Sequence, residues 1–365
     1  MNKRWICSDV WMDILPSFDH AQLGLKMALL SDRFDLLVDA HFDGKTELTI
    51  WRAIEIQKDK CGSKPRVCVP VDGNFVQFPL LPIDGKFVEF PLPNHSLPNK
   101  IRFHFLYIRY IDHSVITFLR SNQHIWDRSG TKLELFIEHC DQSIWELFVH
   151  EIWPIFATNI RHLSFDDDDH LDNLRRRISP SILTDLDQLN SIDSGYLFPD
   201  GIADDGPNAT AGQAFTKWLH TPSKNGQPKR LYRNNYVGPL DLEWVNNFKE
   251  TFRRATTSVS YKIQLYFRVD TMPTEPFELV NEVTNEKLTL KQKIDASSNE
   301  IMYNWLLQRC PIGETALKWE DCVNSGANLN NIHFIFWYGS NCIGPLSPPA
   351  EEEKEKADQS NKDVV

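Results

Sequence analysis

No stretch of this 365-residue chain reaches 18 consecutive apolar residues, so no membrane-spanning helix is expected. Cysteine is sparse: seven, an odd number, spread from Cys7 to Cys342 with no C-x-x-C spacing, a pattern that suits reduced thiols. An excess of positive charge is missing too. Against 50 Asp and Glu stand 39 Lys and Arg, a net charge of −11. That balance disfavours general nucleic-acid binding and adhesion to anionic membranes. The first residues lack an apolar secretory core, because Asp9, Asp13, Asp19 and His20 interrupt it, and they are too acidic for a transit peptide. The expected compartment is therefore the cytoplasm, the nucleus or both.

Catalytic signatures are also absent. The chain has no G-x-S-x-G elbow, no phosphate loop with its lysine and no G-x-G-x-x-G fingerprint. Gly206 and Gly212 precede a helical segment without a phosphate-loop lysine. His150-Glu151 lacks the second histidine of a zinc-protease helix. The run Asp166 to Asp169 followed by His170 has no Ca²⁺-loop spacing, since consecutive residues cannot all converge on one ion. Cys140 beside His139 has no third partner. No catalytic residue, metal or cofactor is assigned, and a non-catalytic protein is expected.

A hydrophobic content of 41% and a charged content of 24% suit a folded chain long enough for one large domain or two. Its first unit reads as three short helices ending near Asp43-Gly44-Lys45. Ser8 is placed to cap the first, with Asp9 in its first turn. Ile6, Val10, Ile14 and Phe18 recur at spacing four, with Trp11 and Leu15 beside them, and Pro16 closes the helix. Asp19 and Gln22 have the spacing of a capping box for a second helix carrying Leu23, Leu25, Met27, Ala28 and Leu30. Ser31-Asp32 caps a third, with Phe34, Leu37 and Val38 inward.

Beyond it, "LTIWRAIEI" reads as a strand. A near-repeat at residues 71–80 and 83–92 then suggests edge hairpins or extended loops. From residue 100, strands near 100, 132, 160, 229 and 261, with a weak one at 195–200, alternate with helices at 113–127, 142–157, 170–190, 211–220 and 240–255. This βα repetition predicts an α/β fold with parallel strands, as an LRR-like solenoid, with a doubly wound sheet as the rival. "PFELVNEVTNEKLTLKQ" predicts a hairpin around Thr284-Asn285-Glu286. "YNWLLQRCPI", a polar helix near 313–324 and a last strand "IHFIFWYG" follow. The expected domains are residues 5–45, a connector at 46–99, an α/β repeat region at 100–344 and a disordered tail at 345–365.

The stretch "ICSDVWMDILPSFDHAQLGLKMALLSDRFDLLV" resembles an F-box. The family's Ile-Leu pair falls at Ile14-Leu15, its polar-capped second helix at Asp19 with Leu23, and its Arg-Phe at Arg33-Phe34. Where the family opens with Leu-Pro, this chain has Cys7-Ser8. "AFTKWLH", "PFELVNEVTNEKLTL" and "WLLQRCPI" are similar to the divergent region of lineage-expanded F-box proteins. The resemblance implies a substrate-receptor subunit of an SCF-type E3 ubiquitin ligase, bound to a Skp-type adaptor and through it to the cullin–RING ligase, holding a target protein elsewhere. The implied adaptor-binding residues are Ile6, Cys7, Val10, Trp11, Ile14, Leu15, Leu23 and Met27. Two rivals stand beside this: a solenoid-type interaction module whose first helices are only a cap, and an α/β enzyme without a recognised motif.

Overall fold

The computed structural model describes residues 6–18, 23–43, 49–59, 64–70, 87–94, 96–98, 101–137, 142–165, 168–195, 197–233, 242–267, 275–295, 302–313, 329–336 and 342–347. Among them the strands run β1 (Thr49–Lys58), β2 (Pro65–Pro70), β3 (Phe87–Pro91), β4 (Ile101–Ile108), β5 (Thr131–Ile137), β6 (Ile160–Phe165) and β7 (Ser191–Ser194). They continue with β8 (Lys229–Arg233), β9 (Tyr261–Phe267), β10 (Phe277–Asn281), β11 (Glu286–Asp295), β12 (Met302–Pro311) and β13 (Asn330–Phe336). The fold is mixed α/β with most strand pairs parallel. Residues 71–86 of the near-repeat, the helix expected near 313–324 beyond Gly313 and the tail from residue 348 lie outside the described residues, as do His139 and Cys140.

The chain divides into two compact units, the first of Met1–Ser129, Phe136–Ile155 and Asn330–Val365, the second of Gly130–Leu135 and Phe156–Leu329. This division differs from the boundary expected at residue 99. β4, just beyond that point, pairs in parallel with β1, at the start of the expected connector, and β13 returns from the far end of the sequence to pair with β4. The first unit thus has the order β13-β4-β1-β2-β3, with β2 and β3 antiparallel. Ile54, Leu106 and Ile332 form one buried row across it, and Ile56, Ile108 and Phe334 another. The Asn330 carboxamide accepts from the Phe103 N–H at 2.9 Å and donates to the Ile125 carbonyl at 3.1 Å, fixing the start of β13.

The second unit has the order β10-β11-β12-β9-β8-β7-β6-β5. From β5 to β9 each strand lies parallel beside its predecessor, with no reversal of order. Helices fill the crossovers: Asp168–Arg177 and Ile182–Asp185, then Ala211–His220, then Leu242–Arg254. The candidate helix at 170–190 splits around Pro180, which cannot continue it. The strand expected at 195–200 is instead β7, four residues earlier. "SIDS" is short and polar, yet β6 and β8 pair with it on both sides and bury Ile192 completely. β9 then pairs antiparallel with β12, β12 with β11 and β11 with β10. The predicted hairpin is present, with Asn285 in its turn at φ 53°, a conformation asparagine tolerates better than most residues.

Alternation of aliphatic and polar positions marks the middle of this ladder. Leu133, Leu163, Ile192, Leu231 and Ile263 share one register and are fully buried. On that face the helices pack: the Phe248 ring meets Tyr261, and Phe252 lies under the Arg309 guanidinium. The alternate positions are polar: Lys132, Glu134, His162, Asp193, Tyr232, Lys262 and Gln264 keep part of their surface exposed, whereas Ser164, Ser191 and Arg230 are buried. Parallel sheets sandwiched between two helical layers read as continuous apolar strands. These strands do not.

Candidate functional site

The N-terminal unit closes a core of its own. Leu15, Leu23, Ala28, Leu37, Val38 and Phe42 form one buried cluster, with Trp11, Met12, Phe18 and Met27 packed against it. At ~1.5–3 kcal/mol per large side chain, such a cluster goes far toward ordering a segment this short. The first helix spans Ser8–Ile14, and its N-cap position is Cys7 rather than Ser8. Cys7 supplies no capping bond, although its thiol lies 3.6 Å from the Asp9 carboxylate. Pro16 ends the helix in a 3₁₀ turn, Leu15–Ser17. The second helix is irregular, a π turn at Leu23–Met27 followed by a 3₁₀ turn at Ala28–Leu30, and it contains Gly24, a poor helix former. The third, Asp32–Asp43, starts where expected, with the Ser31 hydroxyl accepting from the Phe34 N–H at 3.4 Å.

The implied adaptor-binding residues divide into two sets. Leu15 and Leu23 are 0% exposed and offer no surface to a partner. Trp11 stands edge-on to Phe34, with ring centroids 4.8 Å apart, and Met27 leans on the same core. Ile6 and Val10, by contrast, are 45% and 47% exposed, Cys7 is exposed, and Ile14 is half-buried. The apolar stripe was too wide for one role. Its Trp11–Leu15–Phe18 side became core, and its Ile6–Val10–Ile14 side, at spacing four, faces outward. Arg33 locks this geometry by donating to the Ile6 carbonyl at 2.6 Å. Sequence reasoning missed Leu36, which is 71% exposed on the third helix. It shares spacing four with exposed Asp32 and Ala40, and that row was the available signal. The Leu23–Met27 segment lies against β3, so the unit also covers a sheet edge.

Polar clusters elsewhere are built as structure. Arg175, in the basic run Arg175 to Arg177, is buried and donates to the carbonyls of Pro180, Ala209 and Gly206 at 3.1, 2.6 and 3.0 Å. It holds the loop before the Ala211–His220 helix, where Gly212 is required because a Cβ would come 3.0 Å from the Phe198 carbonyl and 2.9 Å from the Asp200 Cβ. Replacing Arg175 by alanine strands three acceptors and is expected to cost about 2 kcal/mol in urea unfolding. Lysine should recover little, since one ammonium cannot span all three, and full recovery by Arg175→Lys would refute the staple. Arg253 and Arg254 both pair with Glu250 on their own helix.

Lys229, buried at the start of β8, donates to the carbonyls of Trp218 and Thr221 at the end of the Ala211–His220 helix, and burial lowers its pKa to about 7. Close by, Glu286 and Arg309 form a fully buried ion pair beside Tyr261, the first residue of β9. Burial raises the Tyr261 pKa. Open α/β sheets bind ligands beyond the carboxyl ends of their strands. This cluster sits at the amino ends of β8 and β9, sealed from solvent. Among the described residues, no three His, Cys, Asp or Glu side chains group to hold a metal ion, and no helix is long and apolar enough to cross a membrane.

Comparison with family models, curated sequences and solved structures gave no match to this chain.

Proposed function

We propose that this chain is the substrate-receptor subunit of an SCF-type E3 ubiquitin ligase, gripping a Skp-type adaptor with its N-terminal helices and a target protein with its α/β region. The outward row Ile6–Val10–Ile14 carries this reading, because it remains on a unit whose core is already closed without it. Leu30 and Leu36 add exposed apolar surface on the same unit. An LRR-like arrangement of the second unit is supported by parallel strands in sequential order with one aliphatic and one polar face. A rival reading, a solenoid-type interaction module with these helices as a cap, draws on the Leu23–Met27 contact with β3. The two use different faces of the unit.

The full chain, mixed with purified Skp-type adaptor, is expected to form a complex. Val10→Asp and Ile14→Asp should each weaken it at least ~10-fold, since each removes an apolar side chain that the adaptor would cover, worth ~1.5–3 kcal/mol when fully buried. Circular dichroism would confirm that both variants stay folded, as exposed or half-buried positions allow. No binding by the unaltered chain would leave the cap reading standing. Binding by both aspartate variants at full strength would move the contact away from the first helix.

A further inference from the structure

The polar face of the β5–β9 ladder brings four side chains of four strands into one row. Lys132 on β5, His162 on β6, Ser191 on β7 and Arg230 on β8 stand in register as one row. Adjacent strands lie about 4.8 Å apart, so the row is ~14 Å wide. At its centre, His162 Nε2 and Ser191 Oγ are both buried, and neither has a hydrogen-bond partner among the described residues. Buried polar atoms nearly always find a partner, so two orphans side by side mark a place where one is missing. The flanks decide its charge. Burial, then Lys132, then Arg230 push the His162 pKa well below its usual value, and a cationic ligand would meet the same field. A neutral imidazole and a hydroxyl can each donate one hydrogen bond to an acceptor. Glu134 and Asp193 lie two residues along the same face, with Glu134 3.8 Å from Lys132, while Lys262 on β9 continues the row. Three cations therefore face two carboxylates.

We infer that Lys132, His162, Ser191 and Arg230 form a subsite for an oxyanion, a carboxylate or phosphate group of a bound molecule. The subsite is independent of the adaptor reading, because no residue of the N-terminal helices takes part.

Thermal unfolding of the full chain, followed in sodium phosphate, sodium acetate and sodium chloride at matched ionic strength and pH, tests it. Phosphate or acetate should raise Tm above the chloride value. The larger shift identifies the favoured group, phosphate for a phosphorylated ligand and acetate for a carboxylate. Ser191→Ala removes a hydroxyl that no described residue hydrogen-bonds, so without the oxyanion its Tm should match or exceed that of the unaltered chain. Its oxyanion-dependent shift should disappear. Lys132→Gln, at a partly exposed position, should weaken oxyanion affinity about 10-fold, the worth of one charge-assisted contact, while adaptor binding stays unchanged. Equal Tm in all three salts would mean that an ordered water alone joins His162 and Ser191, and would overturn the subsite. A full oxyanion shift in both variants would overturn it as well.

Discussion

Glu286→Ala is expected to lower the unfolding free energy by about 3–5 kcal/mol, the range for breaking a buried ion pair by removing one partner. Glu286 is 0% exposed and Arg309 1%. The guanidinium donates to Glu286 Oε2 from Nε at 3.0 Å and from the terminal nitrogen at 2.6 Å. The same nitrogen donates to the Thr257 carbonyl at 2.8 Å. Glu286 Oε1 accepts from the Ser258 hydroxyl at 2.8 Å and from the Val259 N–H at 3.0 Å. One carboxylate thereby ties β11, β12 and the turn after the Leu242–Arg254 helix together. Its loss leaves an unpaired guanidinium in a site closed by the Phe252 ring, 5.3 Å away. Glu286→Gln keeps an acceptor at Oε1 and should cost less than alanine. The double variant Glu286→Leu, Arg309→Met removes both charges and should be more stable than Glu286→Ala, though still below the unaltered chain, because Thr257, Ser258 and Val259 lose their partners. Urea midpoints at constant slope measure all three. A loss under 1 kcal/mol for Glu286→Ala would show that water reaches the pair.

Much of this fold was legible because its strands alternate or its turns carry specific chemistry. β1, β4, β5, β6, β8 and β9 fall on the apolar runs read from the sequence, and Asn285 marks a true hairpin. β7 was misplaced because "SIDS" has no apolar run; neighbouring strands, not its own residues, make it a strand. The return of β13 beside β4 was illegible for another reason. It rests on pairing between distant segments and on Asn330 bridging to Phe103 and Ile125, and nothing local encodes such a contact.

The candidate sites show the same limit at finer scale. Spacing four identified Ile6, Val10, Ile14, Trp11 and Leu15 as one stripe, but periodicity cannot say which half of a wide stripe the core takes. Packing decided it, with Phe34 claiming Trp11 and the three-helix core claiming Leu15. Likewise, three consecutive arginines read as a charged helix face, yet the loop after β7 claims Arg175 through the Gly206 and Ala209 carbonyls, and Pro180 adds a third. The row of Lys132, His162, Ser191 and Arg230 could not be read at all, since strand register alone brings those four residues together.

Acidification from pH 6.5 to about 4 is expected to cost the protein about 3 kcal/mol through His220 alone. The imidazole meets Phe248 on the Leu242–Arg254 helix and Tyr261 on β9, with ring centroids 5.8 and 5.6 Å away. Burial, then the charges of Arg309 on β12 and Lys229 on β8, lower its pKa from 6.5 to about 4. The folded value lies below the unfolded one, so the unfolded chain binds more protons between these limits, and stability falls as pH falls. About a unit above pH 6.5 the His220 slope vanishes, and about a unit below pH 4 its loss is complete. His162, pushed down by burial and by Lys132 and Arg230, acts in the same direction. Carboxylates contribute to any acid transition, so the decisive quantity is the difference between the unaltered chain and His220→Phe. Phenylalanine suits a site walled by aromatic rings and cannot be protonated. Urea unfolding at pH 7.0 and pH 4.5 should show a smaller acid loss for His220→Phe, by ~2–3 kcal/mol. Equal losses in both proteins would mean that His220 is protonated in the folded chain without penalty, and that the acid sensitivity arises elsewhere.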